Sequence, residues 1–229
     1  MNIFIITKKH ISIFIFVICL LIFGFSFYCI FAKSTSSFCY ENSVFCVSSL
    51  SEFKVGSSSD IQDKINNIYS SKEKVAYLTF DDGPTKVATT KVLDILKEED
   101  VKATFFVIGY RVKEFPETVK REYEEGHFIA NHTYSHKNSK LYQSKDTFLN
   151  ELKSAENAIS EAIGVSYTSH LFRFPNGSKG TSYSGSKKKC IQYLNEINYG
   201  YVDWKALNQD SIGHYTASQL LANLKKSCK

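Results

Sequence analysis

The sequence of 229 residues contains six cysteines but no Cys-x-x-Cys pair, so a metal site built from thiolates is not expected. It has no basic stripe interleaved with aromatic residues, and its net charge is only +5, which argues against a nucleic-acid-binding protein. No internal repeat is found. The lysines at residues 187–189 are expected to be the solvated start of a helix. The chain does contain 18 Phe and 14 Tyr, which can fill the core of one domain with an appendage.

An apolar N-terminal segment predicts a membrane anchor. Lys8 and Lys9 precede an uncharged, mostly apolar run at residues 11–32, which Lys33 closes. The run matches the roughly 20 residues that span a bilayer as a helix, and it exceeds the roughly 7–15 apolar residues of a secretory signal. The two lysines favour a cytoplasmic N-terminus at residues 1–10, with the rest of the chain outside the cell. A cleaved signal and a secreted domain are the alternative.

The segment that follows, residues 33–72, is rich in serine and has only a weak helical pattern near residues 61–68. We interpret it as an extracellular stalk that holds a domain off the membrane. Cys39 and Cys46 lie within it and are close enough in sequence to form a local disulfide.

From residue 75 onward, apolar runs alternate with helical patterns. Strands are predicted at residues 75–80, 103–108, 127–130, 171–174 and 200–204, and helices at residues 89–99, 111–125, 148–162, 187–198 and 216–226. This alternation is typical of an α/β fold with a parallel sheet, either open or closed into a barrel. In such folds the chemistry lies at the C-terminal ends of the strands.

Two adjacent carboxylates end the first predicted strand, in the run Thr-Phe-Asp-Asp-Gly-Pro at residues 79–84. Two neighbouring anions repel each other unless a cation offsets the repulsion, and a metal ion is the simplest such partner. Asp-Gly and Gly-Pro are also turn dipeptides, so a plain turn is the alternative. Adjacent side chains on an extended backbone point opposite ways, so one of Asp81 and Asp82 could bind a metal while the other acts as a general base.

Two histidines follow the third predicted strand. His132 and His136 are four residues apart, and on one helical turn they would share a face. Two imidazoles and one carboxylate, with water in the remaining position, make a hydrolytic metal site. Two unrelated surface histidines are the alternative, which the other polar residues at strand ends disfavour. Arg173 ends the fourth strand and is the natural cation for the base, with a plain surface ion pair as its alternative role.

These motifs resemble those of the polysaccharide deacetylase family, the NodB-like carbohydrate esterases. Residues 79–84, Asn-His-Thr-Tyr-Ser-His at residues 131–136 and Arg-Phe-Pro-Asn-Gly at residues 173–177 stand in that family's order and spacing. The resemblance places the domain at residues 73–229 and implies a deformed (β/α) barrel. It also implies removal of N-acetyl groups from amino-sugar polymers with a divalent metal, usually zinc, with cobalt, nickel and manganese as alternatives.

The resemblance implies a role for each residue of the first three motifs. Carried over by position, Asp81 would be the catalytic base, and Arg173 would orient it. Asp82, His132 and His136 would be the metal ligands.

The resemblance also implies substrate contacts. Pro175 and Asn176 would face the substrate, and the backbone N–H of Asn176 would stabilise the oxyanion. Asp203 and Trp204 match a fourth motif, which assigns Asp203 to catalysis. Trp204 would wall the acetyl pocket, with a core aromatic as the alternative. Residues 205–210 resemble the peptidoglycan and chitin-like deacetylases more than the xylan esterases.

A fifth motif of the family, Leu-x-His on a final strand, is expected to be missing. Its histidine protonates the leaving amine in the family, and no such motif stands before Lys229. His214 precedes the last predicted helix, in no strand, and is not a substitute. We therefore expect a barrel without its final strand, an open sheet edge that destabilises the fold, and a rate lowered roughly 10²–10⁴-fold.

The sequence thus favours a monomeric, metal-dependent deacetylase of cell-wall amino sugars, similar to the peptidoglycan N-acetylglucosamine deacetylases. Its expected partners are an N-acetylated glycan and, through residues 11–32, the cell membrane, with the domain extracellular. A catalytically weak surface protein that still binds metal and glycan is the alternative.

Overall fold

The computed structural model describes residues 59–72 and 75–228. The predicted anchor at residues 11–32 and the cysteine pair Cys39 and Cys46 lie outside these residues. Among the described helices, none has the length and apolar character needed to cross a bilayer. In chain order the elements are α1 (Ser59–Ser70), β1 (Thr79–Gly83), α2 (Ala88–Glu98), β2 (Thr104–Val107), α3 (Gly109–Glu114), α4 (Pro116–Glu124), β3 (Phe128–Asn131), α5 (Asn138–Leu141), α6 (Lys145–Ile163), β4 (Leu171–Phe172), α7 (Ser184–Glu196), β5 (Gly200–Tyr201) and α8 (Ala217–Ser227).

The five strands form one parallel sheet in the order β1-β2-β3-β4-β5. Each strand therefore pairs with the next one along the chain, and helical connections return the chain to the same end of the sheet. The predicted α/β fold with a parallel sheet is confirmed. Strands β1 and β5 are the edges of the described sheet.

Apolar residues of the strands and of α6 form two buried clusters that account for the core. Strand β2 contributes Phe105 and Val107 to one buried cluster, together with Leu93 of α2 and Ile159 of α6. A second cluster contains Phe148 of α6 and the aromatic residues of and just after β4. Each such fully buried side chain stabilises the fold by about 1.5–3 kcal/mol.

Several predicted elements differ from the structure. The fourth and fifth strands, Leu171–Phe172 and Gly200–Tyr201, are shorter than predicted. The helix predicted at residues 111–125 is two helices, α3 and α4, because Phe115 precedes Pro116 and adopts φ −130° and ψ 58°, outside the helical region. The first strand begins at Thr79 rather than at residue 75, because Thr79 is the first residue that pairs with β2. Val75 and Tyr77 before it are exposed.

Helix α6 is the longest described helix, and its ends are well defined. The Ser144 hydroxyl accepts a hydrogen bond from the Thr147 N–H at 3.1 Å and caps its start. Gly164 adopts φ 77° at its end, a conformation that favours glycine. The helix packs against α3, α4 and β3, and so supports the loop that follows β3.

Candidate active site

The end of β1 separates the two adjacent carboxylates. Asp81 pairs with Phe106 and Gly83 with Val107, so Asp82 is an extra residue in the strand. Asp82 has φ 66°, and 61% of its side chain is exposed, whereas only 17% of the Asp81 side chain is exposed. A bulge of this kind re-aims a side chain at the end of a strand. The two carboxylates therefore leave the strand in different environments.

The two histidines lie in a non-helical loop after β3, so the predicted sharing of one helical turn is wrong. Thr133 has φ 70° and His136 has φ 54°. Side chains fix this loop: Asn131 Oδ1 accepts the Thr133 N–H at 2.9 Å, and Thr133 Oγ1 accepts the His136 N–H at 2.9 Å. These local hydrogen bonds compete successfully with a helix, because threonine and asparagine can bond to nearby backbone groups.

Glu151 of α6 supports the same loop through a hydrogen bond to its backbone. Its carboxylate accepts the Ser135 N–H at 2.7 Å and lies 2.7 Å from the Lys140 ammonium, and its side chain is 2% exposed. Burial alone would raise the pKa of Glu151, but the hydrogen bonds from Lys140 and Ser135 bring it below its ordinary value. Sequence reasoning missed Glu151. The available signal was an acidic residue beside Leu152 on the apolar face of the helix.

Asp82, His132 and His136 converge at the end of the sheet. Asp82 Oδ1 lies 3.3 Å from His132 Nε2 and 3.1 Å from His136 Nε2, and the three ligand atoms all lie within 4.8 Å of one another. Ligands about 2.0–2.2 Å from a tetrahedral zinc ion stand roughly 3.3–3.6 Å apart. Both distances from Asp82 are close to this spacing, and the donor types suit one divalent ion.

Neighbouring groups favour the protonation states that His132 and His136 would need to bind a metal. A carbonyl oxygen can only accept, so the 2.7 Å contact between His132 Nδ1 and the Arg173 carbonyl makes Nδ1 the donor and leaves Nε2 for the ion. Burial lowers the pKa of His136 and favours the neutral imidazole that a metal needs.

Arg173 connects β4 to the end of β1. Its Nη1 donates to Asp81 Oδ1 at 2.7 Å and to Thr79 Oγ1 at 2.9 Å. The guanidinium is 2% exposed and lies between two rings, with Cζ 4.0 Å from the Phe106 centroid and 5.1 Å from the Trp204 centroid. Arg173 therefore has little freedom to move, and it holds the Asp81 carboxylate in one orientation.

The residues after Arg173 form a tight turn beside Asp203. Asn176 has φ 60°, and Gly177 has φ 72°. A Cβ on Gly177 would lie 2.9 Å from Trp204 Cζ3, so the turn requires glycine there. Asp203 Oδ1 accepts the Ser178 N–H at 2.9 Å, and its Oδ2 accepts the Ser178 hydroxyl at 2.5 Å.

The predicted substrate residues thus have different surroundings. Pro175 is buried and Asn176 is exposed. Trp204 is half-buried and covers Arg173 and Gly177. Their roles stay predictions.

Lys187 corrects a further expectation. It was expected to be solvated, but it is 3% exposed and its ammonium donates to the Gly177 carbonyl at 2.7 Å. A buried lysine needs a partner for its charge, and here the partner is a turn 10 residues earlier in the chain. Nothing in the local sequence distinguishes Lys187 from the two lysines after it.

Comparisons with known proteins agree with this geometry. The family model described as polysaccharide deacetylase matches residues 69–202, and the chain belongs to this family. The resemblance inferred from the motifs is confirmed.

Among its relatives, a peptidoglycan-N-acetylglucosamine deacetylase of Bacillus cereus is 46% identical over 121 residues, which are 53% of this chain and 43% of the relative. The peptidoglycan-N-acetylmuramic acid deacetylase PdaA of Bacillus subtilis is 36% identical over 139 residues, covering 60% of this chain and 52% of that protein. The crystal structure of the polysaccharide deacetylase Bc1974 from Bacillus cereus superposes with a TM-score of 0.58 at 38% identity, covering 69% of this chain and 75% of that one. The chain spans about half the length of the curated relatives it matches.

Proposed function

We propose that the protein is a metal-dependent hydrolase that removes N-acetyl groups from cell-wall amino sugars, with peptidoglycan N-acetylglucosamine as the substrate class. One observation carries the proposal: a cluster of two imidazoles and one carboxylate lies beside a second carboxylate that a buried arginine holds. Family membership and the names of the relatives support the choice of reaction and substrate.

In this proposal Asp82, His132 and His136 hold the metal. The donor set favours zinc, with cobalt, nickel and manganese as alternatives. When bound, the ion would lower the pKa of a water molecule and polarise the acetyl carbonyl.

The residues of the chain then have separate tasks. The Asp81 carboxylate takes a proton as a water oxygen attacks the acetyl carbonyl carbon, and Arg173 keeps that carboxylate aimed at the water. The Asn176 N–H donates to the carbonyl oxygen as negative charge develops on it. Breaking of the C–N bond releases acetate and an amine, and the amine takes up the proton that Asp81 carries.

We also propose that the reaction takes place outside the cell, at the membrane to which residues 11–32 anchor a monomeric chain. The apolar run and the lysines before it support this location. Fractionation of cells that make the full chain tests it, and recovery in the medium would point to a cleaved signal instead.

The direct test measures acetate release by the full chain, purified in detergent with zinc, from chito-oligosaccharide and from peptidoglycan. Asp81→Asn should reduce the rate by roughly 10²–10⁴-fold while zinc binding, measured by calorimetry, is retained. Asp100→Asn is the matched control, because Asp100 is exposed and its φ of 51° suits asparagine equally well.

The outcomes separate the two candidate functions. Zinc binding without acetate release by the unmodified protein would favour a surface protein that binds metal and glycan. Absence of zinc binding would contradict both.

A further inference from the structure

Helix α1 lies against the outer edge of β5 and supplies partners for its backbone. Gln62 Oε1 accepts the Tyr201 N–H at 2.9 Å. The Tyr69 hydroxyl accepts the Asp203 N–H at 3.0 Å and donates to the Asp203 carbonyl at 2.6 Å. Backbone groups on a sheet edge normally pair with another strand or with water. Here side chains of a helix pair with three of them.

Close packing accompanies these hydrogen bonds. A Cβ on Gly200 would lie 2.7 Å from Ile61 Cγ2 and closer still to Ile65 Cδ1, so the helix approaches the strand where only glycine fits. Lys205 also donates from its ammonium to the Tyr69 carbonyl. The contact is thus a specific interface with apolar packing at its centre.

The far side of Asp203 faces the turn that carries Asn176. Its carboxylate accepts hydrogen bonds from both donors of Ser178, the N–H and the hydroxyl. The buried Lys187 ammonium donates a hydrogen bond to the carbonyl of Gly177, the residue before Ser178. Two charged side chains, one after β5 and one from α7, therefore hold two consecutive residues of the turn.

Such support matters because the turn is conformationally demanding. Asn176 and Gly177 are consecutive residues with positive φ, which for asparagine is an uncommon conformation. Asn176 itself is exposed, so its position depends on the neighbours that are held.

We propose that Tyr69 and Lys187 are positioning residues of the candidate active site. Tyr69 fixes the backbone of Asp203, Asp203 fixes Ser178, and Lys187 fixes Gly177, so that the Asn176 N–H stays where the acetyl oxygen would bind. Helix α1 belongs to the catalytic unit, although the family match spans residues 69–202 and leaves most of this helix outside it. The catalytic part of this inference rests on the proposed deacetylase function.

Hydrogen–deuterium exchange tests the structural part without requiring activity. In Tyr69→Phe, the amides of residues 176–178 should exchange about 10-fold faster, because an unsatisfied buried backbone group costs about as much free energy as a tenfold change in an equilibrium. Lys187→Met, which keeps the aliphatic stem, should accelerate the same amides. Tyr77→Phe is the matched control, because Tyr77 is 57% exposed, and it should leave them unchanged.

Kinetics test the catalytic part. Tyr69→Phe should lower kcat for acetate release by about 10-fold with little change in KM, because the Asn176 N–H acts mainly in the transition state. Zinc affinity should stay as in the unmodified protein. Tyr77→Phe should keep the original kcat and KM.

Each outcome decides the inference. Unchanged exchange at residues 176–178 in both Tyr69→Phe and Lys187→Met would overturn it. Faster exchange with an unchanged kcat would overturn the positioning role. If the unmodified protein releases no acetate, the proposed function fails, and the exchange data alone still decide whether Tyr69 and Lys187 hold the turn.

Discussion

Asp81 at the end of β1 and Glu122 in the last turn of α4 are two carboxylates held away from water, but only Asp81 has a cationic partner. Asp81 accepts a hydrogen bond from the buried Arg173 guanidinium. Glu122 of α4 is fully buried, and neither of its carboxylate oxygens has a partner in the described part of the chain. Burial raises the pKa of Glu122 to about 8. The two carboxylates therefore differ in whether a cation pairs with them.

The contrast separates a reactive region from a structural one. At the sheet end, hydrogen bonds hold each polar group in one orientation while leaving Asp82 exposed. On α4 a carboxyl group can stay buried only as the neutral acid. The first arrangement is suited to chemistry, whereas the second makes the stability of the fold depend on pH.

Breaking the partnered region should have the largest effect. Arg173→Met leaves Asp81 without its cation, so we expect a loss of about 3–5 kcal/mol in the free energy of unfolding and a roughly 10²–10⁴-fold loss of acetate release. Urea unfolding and the acetate assay measure the two losses. Lys113→Met is the control, because Lys113 pairs with Glu161 where the two side chains are 50% and 66% exposed, and such pairs contribute about 1 kcal/mol or less. Equal losses in the two variants would contradict the distinction.

Repairing the unpartnered region should give the next largest effect. The pKa of Glu122 is raised from about 4.5 to about 8, so the folded protein binds the proton more tightly than the unfolded chain. Stability should therefore decline as pH rises from about 4.5 to about 8, and Glu122→Gln should remove that decline. The gain at pH 9 is at most roughly 5 kcal/mol, because one pKa unit corresponds to about 1.36 kcal/mol.

Urea unfolding at pH 4.5, 7 and 9 measures this gain. Glu124→Gln is the matched control, since Glu124 is exposed on the same helix. A gain that does not grow with pH would show that Glu122 is not a neutral buried acid.

A smaller effect is expected where a charged group supports the proposed metal ligands indirectly. Glu151→Leu removes the acceptor of the Ser135 N–H and the partner of Lys140, so zinc affinity should fall by about 10-fold. Glu151→Gln keeps an acceptor and should restore part of that affinity. Calorimetric zinc titrations of both variants provide the measurement, and equal affinities in Glu151→Leu and the unmodified protein would exclude this supporting role.

The smallest expected effect is a loss of stability that involves neither the end of β1 nor Glu122 of α4. Ser144→Ala removes the N-cap of α6 and should cost about 1 kcal/mol. The pH dependence of stability and the zinc affinity should stay the same, because neither Glu122 nor the metal ligands contact Ser144. A changed zinc affinity would mean that the end of α6 influences the loop held by Glu151.

Much of the fold and site follows from short patterns in the sequence. Apolar runs of strand length, separated by helical patterns, predicted all five strands and their parallel arrangement. The rule that polar residues at strand ends converge brought Asp82, His132 and His136 to one place, although a loop rather than a helix joins the two histidines.

The remaining features depend on tertiary contacts that local sequence patterns do not show. Lys187 is buried because the Gly177 carbonyl lies nearby, and α1 is ordered against β5 through Gly200. Glu122 has a polar side chain in a helix whose sequence gives no sign that this face is fully covered. The break before Pro116 was the exception, because its signal lay in the local sequence.

Strand β4 is only two residues long, and the residue after it, Arg173, makes two separate contacts at the site. The Arg173 backbone carbonyl accepts a hydrogen bond from His132 Nδ1, and the Arg173 side chain donates one to Asp81. A substitution can remove the side chain but not the carbonyl, so protein engineering can weaken the proposed base without changing the proposed ligand. An insertion or deletion in β4 would displace both groups together, and the proposed metal binding and proton transfer would be lost in a single event.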